Sequence, residues 1–113
     1  MLLALDYDGT ANQDPETWFK VIDTFIEAGH SIFIVTMRYP SECEDIEKGF
    51  KDRCEIIATS RMAKQPFVQE LGYNVNVWID DHPAAVLCDA VDIWGVSSPE
   101  GAILTGNAQD VGS

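Results

Sequence analysis

The stretch "LLALDYDGT", residues 2–10, joins an apolar run to two aspartates, a glycine and a threonine. Residues 2–7 are a nearly continuous apolar run, which is typical of a parallel strand buried on both faces. Asp6 and Asp8 stand at its end, and side chains two residues apart in an extended segment point the same way. Like charges this close raise the free energy of ionising both carboxylates. A compensating cation is therefore expected nearby.

The rest of the chain alternates predicted strands with predicted helices. In the first helix, Asp14 can act as N-cap, Pro15 suits the first helical position, and Gly29 follows the end. Its apolar residues recur at helical spacing and share one face: Trp18, Val21, Ile22, Phe25 and Ile26. The predicted strands are residues 2–7, 31–36, 55–59, 75–80 and 90–96, and further helices are expected to begin at residues 41–44, at Ser60 and at Pro83. This order predicts an α/β fold, a three-layer Rossmann-like arrangement with a mostly parallel five-stranded sheet.

Length and charge restrict the class of protein. The chain has 113 residues, which suits one domain, predicted as residues 1–105 with a flexible tail at 106–113. Seven basic residues against 19 acidic ones give a formal charge of −12. Phosphates of nucleic acids and of anionic membranes would be repelled, so neither partner is expected. A small anionic ligand stays possible if a metal ion or a local cation offsets the negative field.

The cysteines and the N-terminus indicate a cytoplasmic protein. The three cysteines, Cys43, Cys54 and Cys88, are an odd number and follow no disulfide-like or zinc-like spacing. They are interpreted as reduced thiols that fill small core or surface positions. The apolar stretch "MLLAL" is too short for a signal peptide or a membrane span.

Polar residues follow the predicted strands where each strand ends. In parallel sheets, ligands bind outside the carboxyl ends of the strands, so these residues are expected to meet at one edge. They are Asp6 and Asp8 after the first strand, Thr36, Met37 and Arg38 after the second, Lys64 in the helix after the third, and Asp80 and Asp81 after the fourth. Two aspartates by themselves are more simply explained as solvated charges at the end of a strand. Four strand ends together favour a hard, oxygen-seeking cation such as Mg²⁺.

Four of these segments carry a family resemblance. In order along residues 2–81, "LLALDYDGT", "SIFIVT", Lys64 and "VNVWIDD" resemble the four motifs of the haloacid dehalogenase-like superfamily. The first and last motifs are fairly specific, and the middle two are weak by themselves. Members of this superfamily usually insert a cap domain after the first motif or after the third strand. Only "ANQDP" separates the first motif from its helix here, so the chain is expected to be capless.

The resemblance implies roles for individual residues. Asp6 would be the nucleophile that forms an aspartyl-phosphate, and Asp8 the general acid and base. Thr36 would hydrogen-bond the transferring phosphoryl group, and Lys64 would hold nucleophile and phosphate together. The implied Mg²⁺ site consists of Asp6, Asp8 through its carbonyl, Asp80 and Asp81. The chemistry is consistent, because a carboxylate forms a mixed anhydride that water can cleave and so divides one hard step into two easier ones.

Further residues at this edge are candidates for substrate binding: Gly9, Thr10, Met37, Arg38 and His82. Gly9 permits a tight turn that brings backbone N–H groups near phosphate. Arg38 could bind a substrate phosphate or carboxylate through two parallel hydrogen bonds, or could equally be the partner of the acidic stretch "ECEDIE", residues 42–47. His82 could contact the ligand or the metal, or could only precede the helix start at Pro83.

Two classes of function follow from the resemblance. One is a Mg²⁺-dependent phosphohydrolase that acts on a small phosphorylated metabolite, such as a nucleotide or a sugar phosphate. The other is a binding protein that captures a nucleotide-type signalling molecule without hydrolysing it, since small capless chains of this kind resemble members carried by phages. In that setting the protein would act in the host cytoplasm. An open site also implies a broad or large substrate, or cover by a second subunit in a homodimer.

Overall fold

Within residues 1–95, four short strands pair in parallel and bring their carboxyl ends to one edge of the sheet. The computed structural model describes residues 1–95, so the predicted boundary at residue 105 and the predicted tail at 106–113 lie outside the described residues. Within the described part, the strands are β1 (Leu2–Leu5), β2 (Ser31–Thr36), β3 (Glu55–Ala58) and β4 (Val77–Ile79), in the order β3-β2-β1-β4. Strand β1 is central, because Ala4 lies opposite Phe33 of β2 and Trp78 of β4. The predicted α/β class with a parallel sheet is confirmed.

Helices connect the strands. They are α1 (Pro15–Glu27), α2 (Glu44–Phe50), α3 (Lys64–Glu70), α4 (Ala84–Leu87) and α5 (Ala90–Trp94), with 3-10 turns at Ala11–Gln13 and Pro40–Glu42. The predicted start of α1 is confirmed, since the Asp14 carboxylate accepts a hydrogen bond of 3.3 Å from the Thr17 N–H. No helix found within residues 1–95 is long and apolar enough to cross a membrane.

The sheet buries apolar side chains on both faces because alternate residues of a strand point to opposite sides. One face contributes Leu3, Leu5, Ile32 and Ile34 and packs against Ile22 of α1 and against Ile46 and Phe50 of α2. The other face contributes Ala4, Val35 and Ile57 and packs against Val68 of α3. Helices therefore cover both faces, and the edge formed by the carboxyl ends of the strands stays available for polar residues.

The predicted fifth strand, residues 90–96, is wrong over residues 90–94, which form helix α5, and Val96 lies outside the described residues. Ala90 and Trp94 are buried one helical turn apart and pack with Met37 and Ala85, whereas Val91 is 43% exposed. This burial has the period of a helix and not the alternation of a strand. Gly95 ends the helix in the left-handed conformation, with φ of 74°.

The predicted cap at Ser60 is also wrong. Helix α3 begins later, at Lys64, and Ser60 and Arg61 both have left-handed backbone angles, with φ of 54° and 72°. Their loop is held by the loop after β2, because the Arg61 N–H donates to the Met37 carbonyl at 2.8 Å. The Ala63 N–H before the helix donates to the Asp89 carboxylate at 2.6 Å.

Candidate functional site

A buried lysine lies at the carboxyl edge of the sheet. Lys64 is the first residue of α3, and its side chain is 0% exposed. Its Nζ donates to Oδ1 of Asp6 at 2.8 Å and to Oδ2 of Asp80 at 2.6 Å. Asp6 follows β1 and Asp80 follows β4, so one ammonium group joins the ends of two neighbouring strands. A buried ammonium needs such partners, because an unpaired charge away from water is costly.

Three aspartates, which we call the acidic cluster, converge beside this lysine. Asp6, Asp80 and Asp81 offer carboxylate oxygens that lie within 4.8 Å of one another. The Thr10 hydroxyl lies 3.2 Å from Oδ2 of Asp6 and 3.2 Å from Oδ1 of Asp81, so its single proton can serve either carboxylate. Carboxylate oxygens gathered in this way are the ligands that hard divalent cations prefer. Thr10, predicted to bind substrate, is thus placed directly against the acidic cluster.

The acidic cluster carries more negative charge than Lys64 neutralises. The pKa of Asp6 is raised from 3.8 to about 8 by the sum of several effects: burial raises it most, the Lys64 ammonium lowers it, and the neighbouring Asp81 and Asp80 carboxyl groups raise it. Burial is the largest of these causes because it disfavours the ionised form of a carboxyl group. The opposing pull of Lys64 does not restore the ordinary value. A carboxyl group with a raised pKa, such as that of Asp6, is stabilised in its ionised form by additional positive charge nearby.

Asp8 is held apart from the acidic cluster. Its Oδ2 accepts from Nε of Arg38 at 2.9 Å and its Oδ1 from Nη2 of Arg38 at 2.6 Å, which is a two-point ion pair. The Asp8 carboxylate contributes no oxygen to the acidic cluster described above. The side chain of Asp8 is paired with Arg38. Asp8 could therefore act as a metal ligand only through its main-chain carbonyl, as the resemblance implies.

Arg38 also contacts the acidic stretch that follows it. Its Nη1 donates to Oδ1 of Asp45 at 2.6 Å and to the Glu42 carbonyl at 2.7 Å. The structure therefore contains the second of the two predicted roles, the partner of residues 42–47, and adds Asp8 as a partner that the sequence did not indicate. The hydrogen bonds to the Asp8 carboxylate, and to a smaller extent those to Asp45, raise the pKa of Arg38 above its ordinary value.

Gly9 lies where no larger residue fits. Its φ is +85°, and a Cβ built there would fall 2.3 Å from Oδ2 of Asp81. Its N–H, predicted to face a phosphate, donates to the side chain of Asn12 at 2.9 Å. Gly9 therefore allows the loop after β1 to approach Asp81 closely.

We predict that Gly9→Ala displaces Asp81 and weakens cation binding by the acidic cluster. The added methyl group forces either the loop or the Asp81 side chain to move, and the left-handed backbone costs about 1–3 kcal/mol for a residue other than glycine. Gly29→Ala is the matched control, because its φ is +88° but no atom lies within 4 Å of its Cβ position. Urea unfolding and calorimetric titration with Mg²⁺ should show a loss of stability in both variants and a loss of Mg²⁺ affinity in Gly9→Ala only. Equal Mg²⁺ affinities would contradict the close approach to Asp81.

The remaining predicted residues differ in where they lie. Thr36 is fully buried at the end of β2, and its hydroxyl accepts from the Arg38 N–H at 3.3 Å. The side chain of Met37, which was predicted to bind substrate, is fully buried in the core with Ala85, Ala90 and Trp94.

His82 lies beside the acidic cluster. Its N–H donates to Oδ1 of Asp80 at 2.9 Å, and its ring stacks on Trp94 with centroids 4.9 Å apart. Among the described residues, its buried Nε2 has no hydrogen-bond partner.

The sequence did not indicate two supporting residues. Asn12 accepts a hydrogen bond from the Gly9 N–H, and Asp89 accepts one from the Ala63 N–H directly before Lys64. Asp45, which binds the guanidinium of Arg38, belongs to the acidic stretch 42–47 that was predicted as a possible partner. Asp89 is separated from Ala63 by 26 positions, and no local pattern in the sequence connects the two.

A pocket of about 290 Å³ lies elsewhere on α3 and includes no residue of the acidic cluster. Its walls are mainly apolar, formed by Met62, Ala63, Pro66, Phe67 and Leu71, with Glu70 and Asp89 as the charged residues. Two carboxylates and no basic residue make it unsuitable for an anionic ligand. The acidic cluster with Lys64 is therefore the stronger candidate site.

Comparison of the chain with family models, with curated proteins and with solved structures finds no match.

Proposed function

We propose that this chain is a small, capless member of the haloacid dehalogenase-like superfamily, with the Rossmann-like fold of that superfamily. Its activity would be that of a Mg²⁺-dependent phosphohydrolase that acts through an aspartyl-phosphate on a small phosphorylated metabolite or nucleotide. The observation that carries the proposal is the buried Asp6 at the end of the central strand β1, held by Lys64 and surrounded by Asp80 and Asp81. One carboxylate is thereby oriented by a buried ammonium next to oxygen ligands for a cation.

The acidic cluster fits Mg²⁺ in both donor type and charge. All its ligands are carboxylate oxygens, which a hard cation prefers. When ionised, its three carboxylates face one ammonium, that of Lys64, so two negative charges are left over and one divalent cation would balance them. Asp6, Asp80 and Asp81 would hold the ion, which would stabilise negative charge on the transferring phosphoryl group.

The residues of the chain then divide the chemistry. A carboxylate oxygen of Asp6 would form a bond to phosphorus as the bond from phosphorus to the leaving oxygen breaks, and water would later cleave the resulting mixed anhydride. Lys64 orients Asp6 and would stabilise charge on the phosphoryl oxygens. Asp8 would give a proton to the leaving oxygen and then take one from the attacking water. The buried Thr36 hydroxyl would hydrogen-bond the phosphoryl group, as the resemblance implies.

Cation binding and pH should be linked in stability. Since the pKa of Asp6 is raised to about 8, chiefly by burial, the folded protein binds more protons than the unfolded chain between pH 3.8 and 8. The free energy of unfolding should therefore fall as pH rises through this window. Raising the pH favours whichever state binds fewer protons, and here that is the unfolded chain. Mg²⁺ competes with that proton, so it should stabilise the protein more at pH 8 than at pH 5.

Thermal melts with EDTA and with excess Mg²⁺, at pH 5 and pH 8, check this prediction. At 100 times its dissociation constant, Mg²⁺ should add about 2.7 kcal/mol of stability. Identical melts with and without Mg²⁺ at pH 8, together with no heat of binding in calorimetry, would contradict the metal site.

A second function is favoured by one specific observation. Both carboxylate oxygens of Asp8 accept hydrogen bonds from Arg38, so a binding protein could use this residue as a structural ion pair, whereas a phosphohydrolase would need Asp8 to exchange protons from within that pair. In the alternative, the acidic cluster, a cation and Lys64 form a clamp that retains a nucleotide-type signalling molecule without hydrolysing it. A phage protein that sequesters such a molecule in the host cytoplasm would need no turnover.

A panel of phosphate esters incubated with Mg²⁺ separates the two functions. Released phosphate and bound ligand are both measured, the latter by mass spectrometry of the reisolated protein. Turnover that requires Mg²⁺ supports the phosphohydrolase. Stoichiometric retention of an intact nucleotide supports the binding protein. If no phosphate is released and no ligand is retained, both functions are overturned.

A further inference from the structure

We infer that Arg38 is a positioning residue that acts through Asp8, holding the Asp8 carboxylate in place for proton transfer and apart from the acidic cluster; this inference rests on the proposed phosphohydrolase. The two-point ion pair engages both oxygens of Asp8, at 2.9 Å from Nε and 2.6 Å from Nη2. A planar guanidinium restrains a carboxylate in both position and orientation when it binds in this way.

The guanidinium of Arg38 is itself held from the opposite side. Its Nη1 donates to the carboxylate of Asp45 in α2 and to the carbonyl of Glu42 in the 3-10 turn before it, and its guanidinium carbon lies 5.1 Å from the ring centroid of Tyr7. The side chains of Arg38 and Asp8 are only 17% and 23% exposed. An anchored, largely buried arginine fixes its partner far better than two solvated side chains could.

The need for such a restraint follows from the chain itself. Asp8 is two residues from Asp6, and a divalent cation held by the acidic cluster would attract any mobile carboxylate nearby. A carboxylate bound to the cation could not exchange protons with a leaving group. Arg38 competes for Asp8 and keeps it outside the cluster, where the structure places it. Proton exchange stays possible, because each carboxylate oxygen has two lone pairs and Arg38 occupies one on each.

The test combines Arg38→Ala and Arg38→Lys with Asp8→Asn. With a phosphate ester that the wild type hydrolyses, Arg38→Ala should lower kcat about 100-fold, the loss expected when a catalytic group is misplaced by about 1 Å, and should leave KM nearly unchanged. Arg38→Lys should lose nearly as much, because an ammonium cannot form the two parallel hydrogen bonds. In the Asp8→Asn background, Arg38→Ala should cause no further loss, because the group it positions is already absent.

The matched control is Arg53→Ala. Arg53 pairs with both oxygens of Asp23 at 3.0 and 3.1 Å and lies over the ring of Phe19, away from the acidic cluster. Its kcat should equal that of the wild type. Guanidinium ion added at low millimolar concentration should partly restore kcat in Arg38→Ala and should not affect Arg53→Ala. Such rescue is not expected if Arg38 is needed only for folding.

The outcomes are distinct. A wild type that hydrolyses no phosphate ester would overturn the proposed function and this inference together. A wild type with turnover, combined with a raised KM and unchanged kcat in Arg38→Ala, would overturn only the inference and assign Arg38 to direct substrate binding. Equal losses from Arg38→Ala with and without Asp8→Asn would also overturn it. If Arg38→Ala fails to fold, Asp45→Asn replaces it, since it removes an anchor of the guanidinium and should lower kcat in the same direction by a smaller factor.

Discussion

Replacing Asp6 with asparagine should abolish turnover, with kcat reduced by about 10⁴-fold or more, as is typical when a covalent nucleophile is removed. Asparagine keeps the shape of the side chain, and its carbonyl oxygen can still accept the hydrogen bond from Lys64. It cannot form the aspartyl-phosphate, because an amide is a far weaker nucleophile than a carboxylate. Phosphate release under Mg²⁺ saturation measures the loss, and calorimetry should show that Mg²⁺ affinity is weakened but not absent.

Two further variants, Asp52→Asn and Asp8→Asn, show whether the loss of turnover is specific to Asp6. Asp52→Asn changes an exposed aspartate outside the acidic cluster and should leave kcat unchanged. Asp8→Asn should slow the reaction most for substrates with poor leaving groups, since those depend most on a general acid. Trapping with BeF₃⁻ should label Asp6 and not Asp8. Full activity of Asp6→Asn would show that the covalent mechanism is wrong.

Replacing Lys64 with methionine should destabilise the protein by about 3–5 kcal/mol, the usual cost of removing one partner of a buried ion pair. Lys64 is 0% exposed and donates to both Asp6 and Asp80, so its loss leaves two inward-facing carboxylates without their cation. Since the whole unfolding free energy of a domain is about 5–15 kcal/mol, the variant should be near the limit of folding at neutral pH without Mg²⁺. Urea unfolding monitored by circular dichroism measures the change.

Lys48→Met is the matched control for Lys64. Lys48 also pairs with a carboxylate, Glu44 at 3.1 Å, but its side chain is 75% exposed. Its replacement should cost no more than about 1 kcal/mol, because solvent screens such pairs. The double variant Lys64→Met with Asp6→Asn should be more stable than Lys64→Met, because one of the orphaned charges is removed. A Lys64→Met variant as stable as Lys48→Met would contradict the buried ion pair.

Much of the fold could be predicted from the sequence because its signals are local. Apolar runs, a cap at Asp14 and helical spacing in α1 each depend on residues close together in the chain. A parallel sheet places the carboxyl ends of its strands at one edge, so Asp6, Asp80 and Lys64 were expected to meet, and in the structure they do. This part of the candidate site depends on topology and on nothing finer.

The sequence by itself thus determined the parallel α/β sheet and the meeting of Asp6, Asp80 and Lys64. Tertiary structure alone decided the state of residues 90–94 and the separation of Asp8 from Asp6. A short apolar segment suits a strand or a helix equally, and burial of Ala90 and Trp94 against Met37 selects the helix. The Asp8 carboxylate binds Arg38, an arginine 30 positions away in the chain, and not the groups around Asp6. Neither outcome is encoded locally, because packing and ion-pair partners come from distant segments that only the folded chain brings together.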